Sequence, residues 1–306
     1  MKSIPLVTIG IPTYNRAGSY LPKSLESALG QTYDNLEIIV SDNCSPDNTE
    51  SVVRSYKDPR IRYQRHLTPL KPHENADYCV ETANGKYFLL LHDDDLIDAD
   101  FVALCVLAAE QNDLGFIQTG ARTIDENDII IKERRASPGV TGCMEFAEAA
   151  IEGNAVTYFC NTLYRLRCLR EVGGFRSKTY SYQDVATNLR LAASYGRYGI
   201  AEPKASYRKF HSKKWGSSIG IINWCEDSIY LIHLMCELMP ENRRHFMDHG
   251  LKRLCLENYR RAKRTISLPQ RFWAYYAVYR SFKFRCPPWA GVLGRLKRRF
   301  LRFSFK

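Results

Sequence analysis

The sequence predicts an α/β domain on a largely parallel sheet, followed by a basic helical region. Along the first hundred residues, short β-rich runs alternate with amphipathic runs of helical periodicity, which is typical of parallel sheets covered by helices. Charge is unevenly placed. Residues 251–306 carry 16 Lys or Arg and one acid, whereas residues 1–250 carry 28 bases and 32 acids. The two parts of the chain therefore differ in character.

The predicted elements follow in regular order. Strands are expected at 6–11, 36–41, 61–66 and 86–92, and helices at 19–31, 45–56 and 74–83. The first helix repeats apolar residues on one face, and the second opens with Ser and Asp residues of the kind that cap helices. The last strand, "KYFLLLH", is nearly all apolar, so we expect burial on both of its faces.

Length and composition exclude several classes of protein. A chain of 306 residues that is 45% hydrophobic can bury a large core, which argues against disorder. We expect no signal peptide, because the N-terminal apolar run is short and no h-region is followed by a small-residue cleavage site. We expect no membrane-spanning helix, because eighteen consecutive apolar residues occur nowhere. The ten cysteines form no C-x-x-C pair, so free buried thiols in a reducing cytoplasm are the simplest interpretation.

Three adjacent carboxylates, Asp93, Asp94 and Asp95, follow the last predicted strand in "YFLLLHDDDLID". Neighbouring ionised carboxylates repel one another unless water screens them or a cation lies between them. Taken alone, this stretch equally fits a solvated turn that caps the next helix, near Ala99. The aspartates therefore need support from other segments before they indicate a site.

That support comes from two other strand ends. "PTYNR" (12–16) and "DNCS" (42–45) also follow predicted strands, and ligands of open α/β sheets bind beyond the carboxyl ends of the strands. The chain has neither a P-loop nor a G-x-G-x-x-G sequence. Both of these motifs bind phosphates through a glycine-rich loop. The other common way to bind a diphosphate is through Mg²⁺ or Mn²⁺ held by carboxylates.

The segments "VTIGIPTYNR", "LEIIVSDNCSPDNT" and "GKYFLLLHDDD", in this order, resemble family 2 glycosyltransferases of the GT-A fold, of the bacterial surface-glycan type. "LREVGGFRSKTYSYQDVATNLRLAASYG" (169–196) is similar to the family's later Gly-Gly-Phe segment. The resemblance covers roughly residues 4–212. It implies a GT-A domain at 1–212, with a nucleotide-sugar half to about 120 and an acceptor half at 121–212, and a helical basic region at 213–306.

The resemblance also implies roles for individual residues. Those expected to bind the donor nucleotide are Pro12, Thr13, Tyr14, Arg16, Asp42 and Asp93. Those expected to hold Mn²⁺ or Mg²⁺ are Asp94, Asp95 and His211. Asp184 occupies the family's general-base position. Each has a plainer alternative, because "SDNCSPDN" can form a turn without any ligand, Asp184 can cap a helix and a lone histidine is more often structural.

The chain departs from the family pattern at three places. Many relatives have an acidic residue where this chain has His92, and Glu-Asp where it has Gln183-Asp184. A proline common shortly after the acidic cluster is also missing near Ala99. These departures leave the division of roles among the three aspartates open, but they do not involve Asp184.

The expected function is metal-dependent, inverting transfer of a sugar from a UDP-, dTDP- or GDP-sugar to an acceptor hydroxyl. The family suggests bacterial polysaccharide or lipid-linked glycan assembly. A metal-dependent nucleotidyltransferase is the main alternative, although it would not require a base on the later helix. A nucleic-acid-binding protein would explain the basic tail but not the aspartates, so no nucleic-acid partner is expected. The oligomeric state is left open.

The tail interleaves aromatic residues with Arg and Lys at 271–285 and 294–306. A helical stripe contains Phe272, Tyr275, Tyr276, Tyr279 and Phe282. These could pack on the catalytic domain or lie at a bilayer interface. Near an anionic leaflet each Lys or Arg contributes about 1 kcal/mol, so we expect peripheral binding to the cytoplasmic face of the membrane.

Overall fold

The structure is a computed structural model that describes residues 4–210, 220–263 and 267–287. The chain forms two compact units. The first unit contains Met1–Ala150, Asn154–Arg176 and Asp184–Lys213, and the second contains Ile151–Gly153, Ser177–Gln183 and Lys214–Lys306. The domain boundary expected after residue 212 stays a prediction, because it lies outside the described residues. The two short segments of the second unit interrupt the first unit in the sequence, and no local periodicity marks them.

The first unit is built on a ten-stranded mixed sheet. Its strands are β1 Val7–Thr13, β2 Leu36–Asp42, β3 Ile61–Arg65, β4 Tyr87–Leu90, β5 Leu96–Ile97, β6 Phe116–Ile124, β7 Ile130–Arg134, β8 Gly139–Thr141, β9 Thr162–Arg165 and β10 Arg197–Arg208. The strand order is β3-β2-β1-β4-β9-β6-β10-β5, with β7 on β6 and β8 on β10. Strands β3, β2, β1 and β4 are parallel, as the alternating pattern predicted. Strand β9 runs antiparallel to both β4 and β6.

Helices cover the sheet on both faces. They are α1 Leu21–Leu29, α2 Thr49–Ser55, α3 Pro72–Thr82, α4 Phe101–Gln111, α5 Cys143–Ile151, α6 Leu166–Glu171 and α7 Gln183–Tyr195. Alternate residues of β4 enter different apolar clusters: Leu89 packs in the cluster that contains α1 and α4, whereas Phe88 and Leu90 pack with α3 and α7. A strand buried on both faces explains why "KYFLLLH" shows no apolar–polar alternation. The predicted α/β class is confirmed.

The second unit is helical. Its helices are α8 Ile221–Leu238, α9 Leu251–Lys263 and α10 Leu268–Ser281, and short 3₁₀, α and π turns span Pro240–Gly250. Its apolar core includes Cys225, Cys255 and Val278, one from each helix. Tyr275, Tyr279 and Phe282 pack in or against this core, which belongs to the second unit itself, so packing of the aromatic stripe on the catalytic domain stays a prediction. The other two stripe members, Phe272 and Tyr276, are exposed.

Two expectations from composition can be compared with the structure. All ten cysteines are free thiols, and most of them are buried. Burial in apolar surroundings raises the pKa of the Cys79 thiol to about 12, so this group stays protonated and unreactive at neutral pH. Within the three described ranges, no helix combines the length and the hydropathy that crossing a bilayer requires.

Candidate active site

The carboxyl ends of β1, β2 and β4 meet at one edge of the sheet. Strand β1 lies between the other two, and its last residue, Thr13, is paired with Asp42 at the end of β2. The loops that follow are joined by hydrogen bonds. The Asn15 N–H donates to Ser45 Oγ at 2.9 Å, and the Ala17 N–H donates to Asp47 Oδ2 at 3.0 Å. The structure therefore brings together the three segments whose convergence the sequence predicted.

The three aspartates form a turn directly after β4. Asp93 accepts a hydrogen bond from Thr13 Oγ1 at 2.7 Å and another from the Tyr14 N–H at 3.4 Å, so it links this turn to the end of β1. Burial, and next the nearby charge of Asp94, raise the pKa of Asp93 to about 7. The same two causes raise the pKa of buried Asp95 well above its usual value. Without a cation, full ionisation of this turn is unfavourable.

A buried arginine holds the aspartate turn from the other side. Arg208, the last residue of β10, donates through Nε to the Asp94 carbonyl at 2.8 Å, and its own N–H donates to Asp95 Oδ1 at 2.9 Å. Its Nη2 lies 2.6 Å from Asp128 Oδ1, and its guanidinium lies 4.5 Å from the centre of the Tyr20 ring. Sequence reasoning missed Arg208, because its partners come from distant parts of the chain. Its only signal was its position at a strand end.

A candidate metal site lies in this turn. One ligand atom from each of His92, Asp94 and Asp95 can be chosen so that all three lie within 4.8 Å of one another. Carboxylate oxygens suit Mg²⁺ and Mn²⁺, and an added imidazole nitrogen favours transition metals, so the set fits Mn²⁺ well. Asp94 and Asp95 were predicted as ligands, whereas His92 was noted only as a departure from the family. His211, the third predicted ligand, lies outside the described residues.

The loop after β1 adds a cation beside the aspartates. Arg16 lies with its guanidinium 5.6 Å from the Tyr20 ring centre and 5.4 Å from that of Phe210, and its Nη2 is 3.7 Å from Asp94 Oδ2. Cation–π contacts of this kind hold a guanidinium in place. Pro12 lies within β1, and Tyr14 is half exposed. This loop therefore offers both a fixed positive charge and an accessible aromatic ring.

The carboxylate of Asp42 is fully buried and already accepts hydrogen bonds from the protein. Its side chain has no exposed surface; Oδ1 accepts the Ser45 N–H at 2.9 Å and Oδ2 accepts the Tyr63 hydroxyl at 2.5 Å. Burial, and next the hydrogen bond to Asp42, raise the pKa of Tyr63. Arg65 Nε lies 3.8 Å from the same carboxylate. In the structure Asp42 organises the loop after β2, and its contact with a base stays a prediction.

Asp184 lies in the first turn of α7, where its Oδ1 accepts the N–H of Val185 at 2.8 Å. Burial, and next the charge of Asp184, raise the pKa of Tyr164 on β9. The carboxylate is therefore close enough to the centre of the sheet to act on Tyr164 electrostatically. Its role as a base stays a prediction.

A chain of ring contacts runs from the Gly-Gly-Phe segment to the aspartate turn. Gly173 and Gly174 have φ values of +85° and +73°, a conformation that residues with a side chain rarely adopt, and they turn the chain so that Phe175 is buried. The Phe175 ring lies 4.8 Å from that of Phe159, which lies 5.2 Å from the His92 ring. Packing thus ties the segment before α7 to the candidate metal site.

Comparisons with known proteins identify the family and the fold. The family model described as Glycosyl transferase family 2 matches residues 8–173. A chondroitin synthase of Escherichia coli is 32% identical over 136 residues, which are 43% of this chain and 19% of that protein. The chain spans only 15% to 26% of the length of the first curated relatives it matches.

Two solved structures share the fold. S. aureus TarS 1-349, in complex with UDP-GlcNAc, superposes with a TM-score of 0.69 at 15% identity, over 90% of this chain and 81% of that one. The mannosyltransferase PcManGT from Pyrobaculum calidifontis, in complex with GDP-Man and Mn²⁺, has a TM-score of 0.56 at 16% identity, over 99% of this chain and 88% of that one. At these identities the likeness establishes the fold alone.

Proposed function

We propose that this chain, which belongs to glycosyl transferase family 2, transfers a sugar from a nucleoside-diphosphate sugar to an acceptor hydroxyl. One observation carries the proposal: the aspartate turn lies at the sheet edge where β1 and β2 also end, and it is hydrogen-bonded to β1 through Thr13. A nucleotide lying across the ends of β1 and β2 would reach this turn with its diphosphate.

His92, Asp94 and Asp95 are the residues that would hold a divalent cation, Mn²⁺ or Mg²⁺. The raised pKa values of Asp93 and Asp95 support a cation, because they reflect carboxylates whose charge is poorly compensated by the protein alone. When bound, the cation supplies positive charge that offsets the negative charge of a departing diphosphate.

Arg16 would act on the same leaving group. Its guanidinium is held by Tyr20 and Phe210 beside Asp94, where it can donate to phosphate oxygens in a fork-like geometry. Asp93, fixed by Thr13 and the Tyr14 N–H, can accept from a ribose hydroxyl or orient the loop that does so. The half-exposed ring of Tyr14 is available to stack on the nucleoside.

Asp184 would act as the general base of an inverting transfer. As the acceptor oxygen attacks the anomeric carbon from the face opposite the diphosphate, Asp184 takes the proton of the acceptor hydroxyl. The bond between the anomeric carbon and the diphosphate oxygen breaks, and the anomeric configuration inverts. The position of Asp184 in the first turn of α7, after the Gly-Gly-Phe segment whose Phe175 is buried, supports this role.

For the donor, UDP-, dTDP- and GDP-sugars fit in that order. An aspartate at the end of β2 suits bases that carry a ring N–H, as uracil, thymine and guanine do. Since Ser45 and Tyr63 already bind the Asp42 carboxylate, the base would have to share or replace one of these hydrogen bonds. An ADP-sugar as the sole donor would contradict this part of the proposal.

The acceptor would be a glycan or lipid-linked glycan at the cytoplasmic face of a bacterial membrane. On α10, Leu268, Phe272, Trp273 and Tyr276 are exposed, with Phe272 at 78%. These residues lie within one broad side of the helix, together with Arg280. Exposed aromatics beside basic residues are typical of helices that lie at an anionic interface. The dense basic segment at 294–306 lies outside the described residues, and its sequence adds to the same attraction.

The experiment that tests the activity is a screen of nucleotide sugars with and without Mn²⁺, with product analysis by mass spectrometry. Release of a nucleoside diphosphate together with a glycosylated or hydrolysed sugar is expected, and it should depend on the metal. Release of pyrophosphate with nucleotidyl transfer would instead indicate a nucleotidyltransferase. Failure of every nucleotide sugar to bind in the presence of Mn²⁺ would contradict the proposal.

A further inference from the structure

A buried carboxylate in the second unit organises a short loop. Asp227, on α8, has no exposed surface. The loop consists of residues 177–182, and we call it the anchor loop. It belongs to the second unit, although in the sequence it lies between two parts of the first. A carboxylate this deeply buried is unfavourable unless its oxygens accept several hydrogen bonds.

The anchor loop supplies four such hydrogen bonds. Asp227 Oδ2 accepts from Ser177 Oγ at 2.7 Å, from the Ser181 N–H at 2.7 Å and from the Tyr182 N–H at 2.9 Å. Its Oδ1 accepts from the Thr179 N–H at 2.7 Å. Three of the donors are backbone groups, so the carboxylate fixes the path of the chain rather than one side chain.

Other contacts hold the same loop on α8. Thr179 Oγ1 donates to the Asn223 carbonyl at 3.0 Å, and the Tyr182 ring meets the Trp224 ring edge to face at 5.0 Å between centres. The guanidinium of Arg261 lies 4.2 Å from the Trp224 ring centre and 5.1 Å from that of Tyr182. Tyr182 is the last residue before α7 begins.

One residue of the loop adopts an unfavourable backbone conformation. Tyr180 has a φ of +60°, in the left-handed region that favours glycine. Its neighbours on both sides, Thr179 and Ser181, donate their N–H groups to Asp227. The carboxylate therefore stabilises a chain path that the sequence alone would not favour.

The loop leads directly into Asp184. Asp227 binds the N–H of Tyr182, two residues before Asp184, and the direction in which a first-turn side chain points depends on where its helix starts. We propose that Asp227 is a positioning residue for Asp184: by fixing the anchor loop, it sets the start of α7 and thereby the orientation of the base. This inference rests on the proposed function of Asp184. It concerns a group that no part of the proposed chemistry otherwise uses.

Asp227→Asn tests the inference, because an amide keeps the shape of the carboxylate but turns one of its acceptors into a donor. If Asp227 positions the base, kcat for sugar transfer falls about tenfold to a hundredfold, the range expected for a misplaced catalytic group. The KM for the donor and the affinity for Mn²⁺ stay close to wild type. Glu226→Gln is the matched control, since Glu226 also pairs with the loop, through Lys178 at 3.2 Å, but is partly exposed.

A double-mutant cycle with Asp184→Asn separates positioning from general destabilisation. If Asp227 acts through Asp184, adding Asp227→Asn to a protein that already carries Asp184→Asn does not lower kcat further, because no base remains to be positioned. An equal loss of kcat in both backgrounds would overturn the inference, and so would wild-type kcat in Asp227→Asn. Should Asp227→Asn fail to fold, Ser177→Ala, which removes one donor, replaces it in the same cycle, with a smaller loss expected and with the same two outcomes overturning the inference.

The cycle also distinguishes failure of this inference from failure of the proposed function. Wild-type turnover by Asp184→Asn alone would contradict the assignment of the base, and with it this inference. Impaired turnover by Asp184→Asn together with full turnover by Asp227→Asn would contradict the inference alone.

Discussion

The hydroxyl of Thr13 donates to the carboxylate of Asp93 across 2.7 Å, joining the last residue of β1 to the aspartate turn after β4. Thr13→Val keeps the volume but removes this donor. A hydrogen bond of this kind contributes about 0.5–1.5 kcal/mol. We expect nucleotide affinity to fall about tenfold, with metal affinity nearly unchanged, by isothermal titration calorimetry. Thr82→Val is the control, because its hydroxyl donates to the Tyr78 carbonyl within α3 at 2.7 Å, away from the aspartate turn. Unchanged nucleotide affinity in Thr13→Val would argue against a donor-binding role for Asp93.

Asp94→Asn should remove most metal-dependent turnover. The amide keeps the shape of the side chain but lacks the charge that would hold a dication. The apoprotein should become slightly more stable, because neighbouring charges no longer repel. Mn²⁺ binding by electron paramagnetic resonance and thermal unfolding without metal measure the two effects. Asp113→Asn, at a carboxylate that is 91% exposed, is the control. Equal turnover of wild type and Asp94→Asn at subsaturating Mn²⁺ would refute the assignment.

Asp184→Asn should lower turnover about 10²-fold or more, since general-base catalysis contributes at least that much. Donor and metal binding should be nearly intact, because neither uses this carboxylate in the proposed mechanism. Steady-state kinetics with calorimetry of donor binding measures both. Lost donor binding with unchanged turnover at saturation would make Asp184 a donor-site residue instead.

Glu37→Gln should destabilise the first unit by about 1–3 kcal/mol at neutral pH, the usual result of breaking a buried charged network. Burial raises the pKa of Glu37, but hydrogen bonds from Thr8, Asn84 and Arg62 outweigh it and lower the pKa below the ordinary 4.5. The stabilising contribution is therefore present above 4.5 and is lost as the pH falls through the lowered value. Urea unfolding of wild type and Glu37→Gln should show that the difference between their free energies of unfolding shrinks as the pH falls into the acid range.

The control for this measurement is Glu50→Gln, because the ion pair of Glu50 with Arg54 on α2 is exposed to solvent. The free energy of unfolding of the Glu50→Gln protein should follow that of wild type at every pH. A difference between wild type and Glu37→Gln that stays constant through the acid range would contradict the charged form of Glu37 as the source of the stabilisation.

Phe272→Ser combined with Trp273→Ser should weaken binding to anionic liposomes about tenfold or more, since the exposed apolar surface of two large aromatics is removed. Co-sedimentation across anionic lipid content and salt measures this. Leu107→Ser, at an exposed leucine on α4, is the control. A chain ending at Pro288 should lose much of the salt dependence. Equal binding by all proteins, or binding to nucleic acid only, would reject the membrane role.

Much of the first unit could be predicted because local patterns determine it. The alternation of β-rich and amphipathic runs predicted β1 to β4 and α1 to α3 to within a few residues. The order of the motifs predicted the family, which is confirmed. Antiparallel β9 between β4 and β6 could not be predicted in this way, since strand neighbours depend on packing of distant segments.

The site was predictable only in part, for the same reason. Strand ends brought Thr13, Asp42 and Asp93 to one edge, as expected from parallel topology. Arg208 and Asp227 act through partners far away in sequence, and neither lies in a local motif. The aromatic stripe of the tail shows a third case, because a helical pattern cannot tell which of its residues face a core: Tyr279 packs there and Tyr276 does not.

The enclosed carboxylate of Asp42 limits how donor choice could be redesigned. A substitution at this position, intended to admit another nucleobase, would also release the Ser45 N–H and the Tyr63 hydroxyl and so loosen the loop after β2. Arg65, whose side chain is 42% exposed beside the same carboxylate, holds this loop through one hydrogen bond, from its Nη2 to the Ser45 carbonyl at 3.1 Å. Libraries that vary Arg65 and Tyr14 while keeping Asp42 and Tyr63 should yield altered nucleotide preference in stable proteins.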